Sequence, residues 1–277
     1  MDNGKFKRTT SFISRLIYVP RCAGCGKRLS PFAKTDNLSY GKVCLCPACM
    51  VAWQRAKREM CHTCYMPAGE CRCTSINRKI KQPFIPSLFF YHRDRSRVQN
   101  KVLYSAKTRR FPELFDFLAS ELAPSVRALA DAGGIDVRDC ILTYVPRKKK
   151  AIRQYGLDQA RELSERLALE LGCISVSLLQ RVGGKEQKRL DGRKREKNTS
   201  ESVFLRKRLT RNDAKKSALG GGEAVTVREA VEGRYVIVVD DIITTGASMR
   251  RAILLLEPLK PKSVMVVCVA RSEKGSK

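Results

Sequence analysis

The sequence predicts an α/β fold in which a parallel β-sheet carries helices on both faces, preceded by a small zinc-ribbon-like module. From residue 83 onwards, apolar stretches of strand length alternate with helical stretches, which is the pattern of a parallel sheet. Between Cys22 and Cys73, by contrast, cysteines recur in closely spaced pairs. We therefore expect a basic tail at residues 1–20, a cysteine module at 21–80 and a sheet domain at 83–277.

The chain is strongly basic, because its 277 residues carry a formal net charge of +28. This excess favours polyanionic partners, with nucleic acid first and an acidic membrane surface second. No apolar run approaches the length of a membrane span, and residues 1–20 lack the long apolar centre of a signal peptide. We expect a cytoplasmic protein whose twelve cysteines stay reduced.

Nine of the cysteines lie between positions 22 and 73, and eight of them form four closely spaced pairs that suit zinc knuckles. The simplest partition gives a first tetrad of Cys22, Cys25, Cys46 and Cys49 and a second tetrad of Cys61, Cys64, Cys71 and Cys73. Cys44 then lies outside both, and His62 could replace one ligand of the second tetrad. Because every position is a cysteine, one or two bound zinc ions would be structural. A redox-active Cys-x-x-Cys pair is the competing interpretation. Trp53 lies between the two tetrads, and we expect it to pack there, with stacking on a nucleic-acid base as the alternative.

The first half of the sheet domain predicts three strands and three helices. The strands lie near 85–91, 140–145 and 173–179, and the helices cover 93–107, 112–132 and Gln159–Leu171. Pro124 is expected to kink or split the second helix, which Gly133 ends. Asp158 is the expected N-cap of the third helix, and Gly172 is its expected stop.

The second half is less regular. Residues 181–208 contain few apolar side chains and many cations, which predicts a mobile loop or a solvated helix. Residues 209–234, with three glycines at 220–222, predict a flexible insertion. An apolar strand then begins at Tyr235, a helix runs through Met249 to Pro258, and the last strand covers 263–270.

The stretch from Tyr235 to Ser248 organises this domain. A strand rich in Val and Ile leads into Asp240 and Asp241, where the strand is expected to end. Residues 244–248 then turn the chain into a helix, so free backbone N–H groups and small side chains converge on a concavity suited to a phosphate. The carboxylates beside it can accept hydrogen bonds from a sugar diol. A ribose 5-phosphate fits this arrangement, and an ordinary strand with an Asp-rich helix cap is the alternative.

At these residues the sequence resembles the phosphoribosyl-diphosphate (PRPP) motif of type I phosphoribosyltransferases: an apolar strand, two acidic residues, then TTG and small residues. The resemblance implies the type I phosphoribosyltransferase fold. It also implies that the acidic pair holds the ribose hydroxyls, and that the 5-phosphate lies against Thr244, Thr245, Gly246, Ala247 and Ser248. Cations and a bound Mg²⁺ would offset the diphosphate charge, so the expected catalytic residues are Asp240, Asp241, Arg147 and Lys148.

The order of parts resembles the ComF family, which joins an N-terminal zinc module to a phosphoribosyltransferase domain. The matching features are the cysteine pairs, Val145-Pro146, Gly156-Leu157-Asp158-Gln159-Ala160 at the position of the family's GFNQA, and VVDDIITTGAS. The family pattern Q-x-x-L-x(4)-R-x-x-N is matched by Gln187, Leu190, Arg195 and Asn198. The chain departs from the family at Leu103, Leu157 and Asp158.

This resemblance implies a PRPP-binding protein of natural transformation that handles internalised single-stranded DNA, with other DNA-uptake proteins as further partners. The alternative is an active phosphoribosyltransferase of nucleotide salvage with no role in DNA handling. The basic segment at 188–197 would be a DNA surface, a lid over the diphosphate or a solvated face.

Overall fold

The computed structural model describes residues 21–29, 44–73, 75–82, 84–92, 94–108, 112–181, 202–210, 212–213 and 225–272. The strands are β1 Phe89–Phe90, β2 Cys140–Tyr144, β3 Ile174–Ser175, β4 Leu179–Arg181, β5 Val203–Leu205, β6 Tyr235–Ile243 and β7 Ser263–Arg271. The helices are α1 Pro47–Lys57, α2 Ser75–Ile80, α3 Val98–Thr108, α4 Pro112–Ala132, α5 Lys149–Tyr155, α6 Gln159–Leu171, α7 Val227–Val231 and α8 Ala247–Leu256. Short 3₁₀ helices cover Val137–Asp139 and Glu257–Leu259. The predicted basic tail lies outside the described residues.

Five of these strands form one sheet in the order β1-β7-β6-β2-β3, and every pair in it is parallel. The predicted α/β fold with a parallel sheet is therefore confirmed. The remaining strands, β4 and β5, pair antiparallel as a separate ribbon. Among the described residues, no helix has the length and apolar character that crossing a membrane requires.

The central strand β6 is buried on both faces, because its side chains alternate between two apolar cores. Ile237 and Val239 belong to one core, together with the buried faces of α4 and α6. Val236 and Val238 belong to the other core, together with the buried face of α8. An uninterrupted apolar run is what such a strand requires. The two cores hold β6 from both sides and so hold the residues at its carboxyl end.

The helix α6 matches its prediction at both ends. Asp158 is its N-cap and accepts a hydrogen bond from the backbone N–H of Arg161 at 3.4 Å. Gly172 ends the helix with a left-handed φ of 73°. The sequence predicted that Pro124 kinks or splits the preceding helix; the helix is not split, because α4 runs from Pro112 to Ala132 as one helix. Pro124 lies on the exposed side of α4, while its neighbour Ala123 is buried in the core.

The predicted strand over 173–179 is divided into β3, in the main sheet, and β4, in the ribbon. The prediction of a loop or helix at 181–208 is wrong at the two ends of the segment, where β4 and β5 pair instead. The intervening residues 182–201 lie outside the described part of the chain.

The predicted flexible insertion at 209–234 is ordered in its last part. There α7 begins with a capping box between Thr226 and Glu229 and buries Val227, Ala230 and Val231. Residues 214–224, which include the three glycines, lie outside the described part of the chain. The glycines and charged residues of this segment predicted flexibility. The burial of Val227 and Val231 depends instead on contacts with the rest of the fold, which the local sequence does not show.

The cysteine module packs directly on the sheet domain through Trp53. This side chain is fully buried, as predicted, and its ring centroid lies 5.3 Å from that of Phe89 and 5.4 Å from that of Phe117. The indole Nε1 donates a hydrogen bond to Glu121 Oε2 at 2.9 Å. The part of the module around the first pair of knuckles therefore shares one apolar core with the sheet domain.

We predict that Trp53→Ala lowers the free energy of unfolding by about 3–5 kcal/mol, because it empties a large buried volume between α1, β1 and α4. Urea denaturation followed by far-ultraviolet circular dichroism measures this change. Val51→Ala is the matched control on the same helix, because Val51 is 63% exposed; its expected effect is within about 0.5 kcal/mol. Equal effects of the two substitutions would contradict the shared core.

Candidate functional site

The structure brings the two predicted cysteine tetrads together. Within each tetrad the four Sγ atoms lie within 4.8 Å of one another. The distances between Sγ atoms are 3.7 Å for Cys25 and Cys46, 3.3 Å for Cys61 and Cys73, and 3.6 Å for Cys71 and Cys73. A tetrahedral zinc ion with Zn–S bonds of about 2.3 Å requires sulfur atoms about 3.8 Å apart. Both sulfur sets therefore fit a zinc ion after small shifts.

Both tetrads begin with the same backbone turn. The N–H of Gly26 donates to the carbonyl of Cys22 at 2.8 Å, and the N–H of Tyr65 donates to the carbonyl of Cys61 at 2.9 Å. The φ angles of Gly26 and Tyr65 are 76° and 54°, both left-handed. Such an angle costs a residue other than glycine about 1–2 kcal/mol. Tyr65 adopts this conformation although it is not a glycine. The sequence predicted this second knuckle from the spacing of its cysteines alone.

The thiols within each tetrad differ in pKa. A hydrogen bond from the backbone N–H of Lys27 lowers the pKa of Cys25 to about 7. Although burial opposes it, a bond from the N–H of Met66 lowers the pKa of Cys64 to about 6. Burial and the neighbouring thiols raise the pKa of Cys73. A cation bound among these sulfurs would displace the protons that they share.

Cys44 lies outside both tetrads, as the partition predicted, and its Sγ donates to the carbonyl of Glu113 at 3.3 Å. The ligand atoms of the second tetrad come from its four cysteines, and His62 is not one of this group. The second tetrad is therefore complete without it.

The acidic pair lies inside β6, and the prediction that the strand ends before it is wrong. Pairing with β2 stops at Val239, but pairing with β7 continues to Ile243. Asp240 and Asp241 thus lie beyond the last residue of β6 that pairs with β2, in a part of the strand that still pairs with β7. Asp240 Oδ1 accepts from the N–H of Asp241 at 2.9 Å, and Asp241 Oδ1 accepts from the N–H of Ile242 at 2.8 Å.

Burial raises the pKa of Asp240 well above its ordinary value, and the neighbouring charge of Asp241 adds to the effect. Two carboxylates in a poorly solvated place repel each other, so the folded chain holds them at a cost. Hydroxyl donors or a cation from a ligand would lower this cost. Such a perturbed pair at a strand end is typical of a functional site.

Arg147 lies against the acidic pair. Its Nη2 is 3.1 Å from Asp241 Oδ2, and its backbone N–H donates to Asp158 Oδ2 at 2.9 Å. The segment after β2 therefore meets the end of β6. Asp158 is buried, and burial raises its pKa. Lys148 is exposed and makes no ion pair with another described residue, so Arg147 is the one of the two predicted cations that contacts the pair.

A second cation, Arg181, also lies beside the acids. Its Nε donates to the carbonyl of Pro146 at 2.8 Å, and its Nη1 donates to Ser202 Oγ at 3.2 Å. Burial lowers the pKa of Arg181, while the charges of Asp240 and Asp158 act in the opposite direction. Sequence reasoning placed Arg181 only at the start of a basic loop. Its position depends on the β4–β5 pairing, which local patterns did not reveal.

The predicted phosphate turn joins β6 to α8. Thr244 and Thr245 are exposed, and Gly246 precedes α8 with a left-handed φ of 71° and no side-chain cap. Ala247 and Ser248 form the first turn of α8, and the N–H of Ala247 contacts Thr245 Oγ1 at 3.4 Å. The first N–H groups of a helix have no intrahelical acceptor, so an anion can bind them. All five predicted residues lie directly after the acidic strand.

Several solved structures are similar to part of the chain. Solved structures similar to the chain include adenine phosphoribosyltransferase from Saccharomyces cerevisiae, with 23% identity over 58% of this chain and 70% of the other and a TM-score of 0.32. Hypoxanthine phosphoribosyltransferase from Staphylococcus aureus is similar with 13% identity over 63% and 75% and a TM-score of 0.32. Adenine phosphoribosyltransferase from Leishmania tarentolae is similar with 13% identity over 62% and 80% and a TM-score of 0.33. No curated protein matches the chain.

The comparison that decides the family is with a family model. The model described as the phosphoribosyl transferase domain matches residues 118–277, which is more than half of the chain. The matched region contains the central sheet strands β2, β6 and β7, the acidic pair and the turn before α8. The chain therefore belongs to the phosphoribosyl transferase domain family.

Proposed function

We propose that this protein binds PRPP with Mg²⁺ at the carboxyl end of β6 and transfers its phosphoribosyl group to an acceptor. The observation that carries the proposal is the contact of Arg147 with Asp241. Asp241 shortly precedes Ala247, where α8 begins without a side-chain cap. The carboxylates that would hold the sugar are then close to the cation that would face the leaving group and to the turn that would bind the phosphate. The family match supports this type of transferase.

The residues divide the substrate between them. Asp240 and Asp241 would accept hydrogen bonds from the ribose 2- and 3-hydroxyls, which relieves the repulsion between the two carboxylates. The 5-phosphate would lie against residues 244–248, where the backbone N–H groups and the start of α8 favour an anion. Arg147 and Arg181 would face the diphosphate.

Transfer breaks the bond between ribose C1 and the diphosphate oxygen and forms a bond from C1 to the acceptor. The ribose becomes cationic as the diphosphate leaves, so the rate depends on positioning and on stabilisation of the leaving charge. Arg147 and Arg181 would supply that stabilisation from fixed positions. The oxygen-rich acidic pair suits Mg²⁺, which would neutralise part of the diphosphate charge.

The two tetrads would hold structural zinc, since four sulfur ligands leave no open position for catalysis. Zinc would fix the two knuckles against the sheet domain. The cysteine pairs, the GLDQA segment and VVDDIITTGAS resemble the ComF family, and this resemblance supports a cytoplasmic role in natural transformation. Nucleotide salvage without DNA handling is the alternative role for the same transferase site.

Single-stranded DNA is the second proposed ligand. The observation in its favour is the formal net charge of +28, which exceeds what one diphosphate can use. Two exposed tyrosines, Tyr65 at 76% and Tyr104 at 66% exposure, could also stack on bases. The basic residues at 188–197, which lie outside the described part of the chain, belong to this proposal.

We predict that Asp240→Asn weakens PRPP binding and raises thermal stability at pH 7. The folded-state pKa of Asp240 is raised, so its contribution to stability is complete below the unfolded pKa of about 3.9 and is lost as the pH rises. Asn removes this loss but also removes a charged acceptor, which raises the PRPP dissociation constant about 10–100-fold. Calorimetry with PRPP and Mg²⁺, and thermal unfolding, measure the two effects.

Asp241→Asn should weaken binding similarly while leaving the fold intact. Asp139→Asn is the matched control, because Asp139 is exposed and precedes β2 at the opposite end of the sheet. An unchanged PRPP affinity in the Asp240→Asn, Asp241→Asn double variant would place the ribose elsewhere.

We predict that the purified protein contains two zinc ions per chain, and that Cys25→Ser and Cys73→Ser each remove one. Both cysteines are exposed, so the loss of a metal ligand is the main effect of either substitution. Elemental analysis measures the zinc content. Cys44→Ser is the control and should retain both ions, because Cys44 belongs to neither tetrad. Zinc-free wild-type protein with a folded module would refute the assignment.

We predict that the affinity for single-stranded DNA falls with salt by a log–log slope of about 0.7 per neutralised phosphate. Neutralising Arg193, Lys194, Arg195 and Lys197 together should flatten that slope and leave PRPP affinity unchanged. The control variant neutralises four exposed cations in the described part of the chain, namely Lys101, Arg127, Arg228 and Lys260. A loss of PRPP affinity with an unchanged DNA slope would instead assign the segment to the diphosphate.

A further inference from the structure

Arg271, the last residue of β7, is a fully buried cation between the sheet and the second cysteine tetrad. Its Nη1 donates to Asn77 Oδ1 at 2.9 Å, and its Nη2 donates to the carbonyl of Cys71 at 2.8 Å. Its guanidinium carbon lies 5.7 Å from the ring centroid of Phe90. Phe90 itself packs with Cys61 and Cys71 of the tetrad.

The positive charge of Arg271 has no carboxylate partner among the described residues. Both of its hydrogen bonds end on neutral oxygens, and its Nε has no acceptor in the described part of the chain. A buried charge without a counter-charge is strongly destabilising. Four thiolates around one divalent ion carry a net charge of about −2, and they would supply the missing anion. Arg271 therefore fits a tetrad that holds a metal.

The same residue is linked to the phosphate turn by the backbone. Arg271 pairs with Ile243 in the β6–β7 register, and the N–H of Ser272 donates to the carbonyl of Ile243 at 2.9 Å. Ile243 is the last residue of β6 and directly precedes Thr244. One residue thus contacts a cysteine of the second tetrad through its side chain and the start of the turn through its strand.

The first tetrad has different neighbours. Ser105 Oγ of α3 donates to the carbonyl of Ala23 at 2.8 Å, and Cys44, beside this tetrad, contacts the carbonyl of Glu113 in α4. These contacts lead to helices and not to the end of β6. The two tetrads can therefore be compared within one protein.

We propose that Arg271 is the positive counter-charge of the second tetrad when its four thiolates hold a metal ion. Through Arg271 and the β6–β7 pairing, this metal ion holds the phosphate turn in place. The proposal rests on the zinc binding proposed above and deepens the PRPP site by naming what positions its turn. Arg271 is a positioning residue, since it contacts a cysteine ligand and not the substrate.

The first experiment measures zinc affinity with a chelator titration of the full chain. Arg271→Met should weaken one of the two zinc ions about 10–100-fold and leave the other unchanged, as is usual when a partner of a metal ligand is lost. Arg271→Lys keeps the charge and should restore part of the affinity. Arg251→Met is the matched control, because Arg251 also donates to a carbonyl and lies 6.0 Å from an aromatic ring, that of Phe204. Equal zinc release by Arg271→Met and Arg251→Met would overturn the proposal.

The second experiment keeps Arg271 and so does not depend on how its variants fold. Amide hydrogen exchange at 243–248 is compared between Cys73→Ser, which disrupts the second tetrad, and Cys25→Ser, which disrupts the first. We expect loss of protection in Cys73→Ser alone. Equal protection in both variants would overturn the link to the turn. Neither experiment uses PRPP, so this inference and the proposed function can fail separately. A protein that binds two zinc ions but no PRPP would refute the proposed function, and the two experiments above would still decide the role of Arg271.

Discussion

The contact between Arg147 and Asp241 joins the two segments on which the site depends. Asp241 stands beside Asp240, whose pKa burial raises, and the pair lies where β6 has lost β2 as a neighbour but not β7. Arg147 reaches this pair from the end of β2 and is itself held by buried Asp158. Two apolar cores fix β6 from both sides, so the repelling carboxylates cannot separate by moving the strand. A ligand that brings hydroxyl groups and cations lowers the cost of this arrangement.

The cysteine module packs on the sheet domain at both tetrads. Trp53 reaches between β1 and α4, so the first tetrad is built on the helical face of the sheet domain. The second tetrad meets the same edge strand at the next residue, Phe90, and meets its neighbour Arg271 at the carboxyl end of β7. The module therefore contacts both the core and the carboxyl edge of the sheet, where β6 leads into α8. Loss of metal is expected to affect the sheet domain as well.

Sequence reasoning succeeded where the signal is local. Asp158 and Gly172 mark both ends of α6, the cysteine spacing gives the two tetrads, and the apolar run before Asp240 identifies the central strand. It failed where partners distant in sequence decide the structure. The burial of α7 and the position of Arg181 both depend on pairings that no local pattern encodes. The continuation of β6 past the acidic pair likewise depends on β7.

A crystal structure of the protein with PRPP and Mg²⁺ tests the central claim most directly. The account predicts the ribose hydroxyls within hydrogen-bond distance, about 2.6–3.2 Å, of the carboxylates of Asp240 and Asp241. It also predicts the 5-phosphate at residues 244–248 and the diphosphate beside Arg147 and Arg181. A complex in which PRPP binds away from the end of β6, or in which the acidic pair contacts only Arg147 as before, would contradict the account.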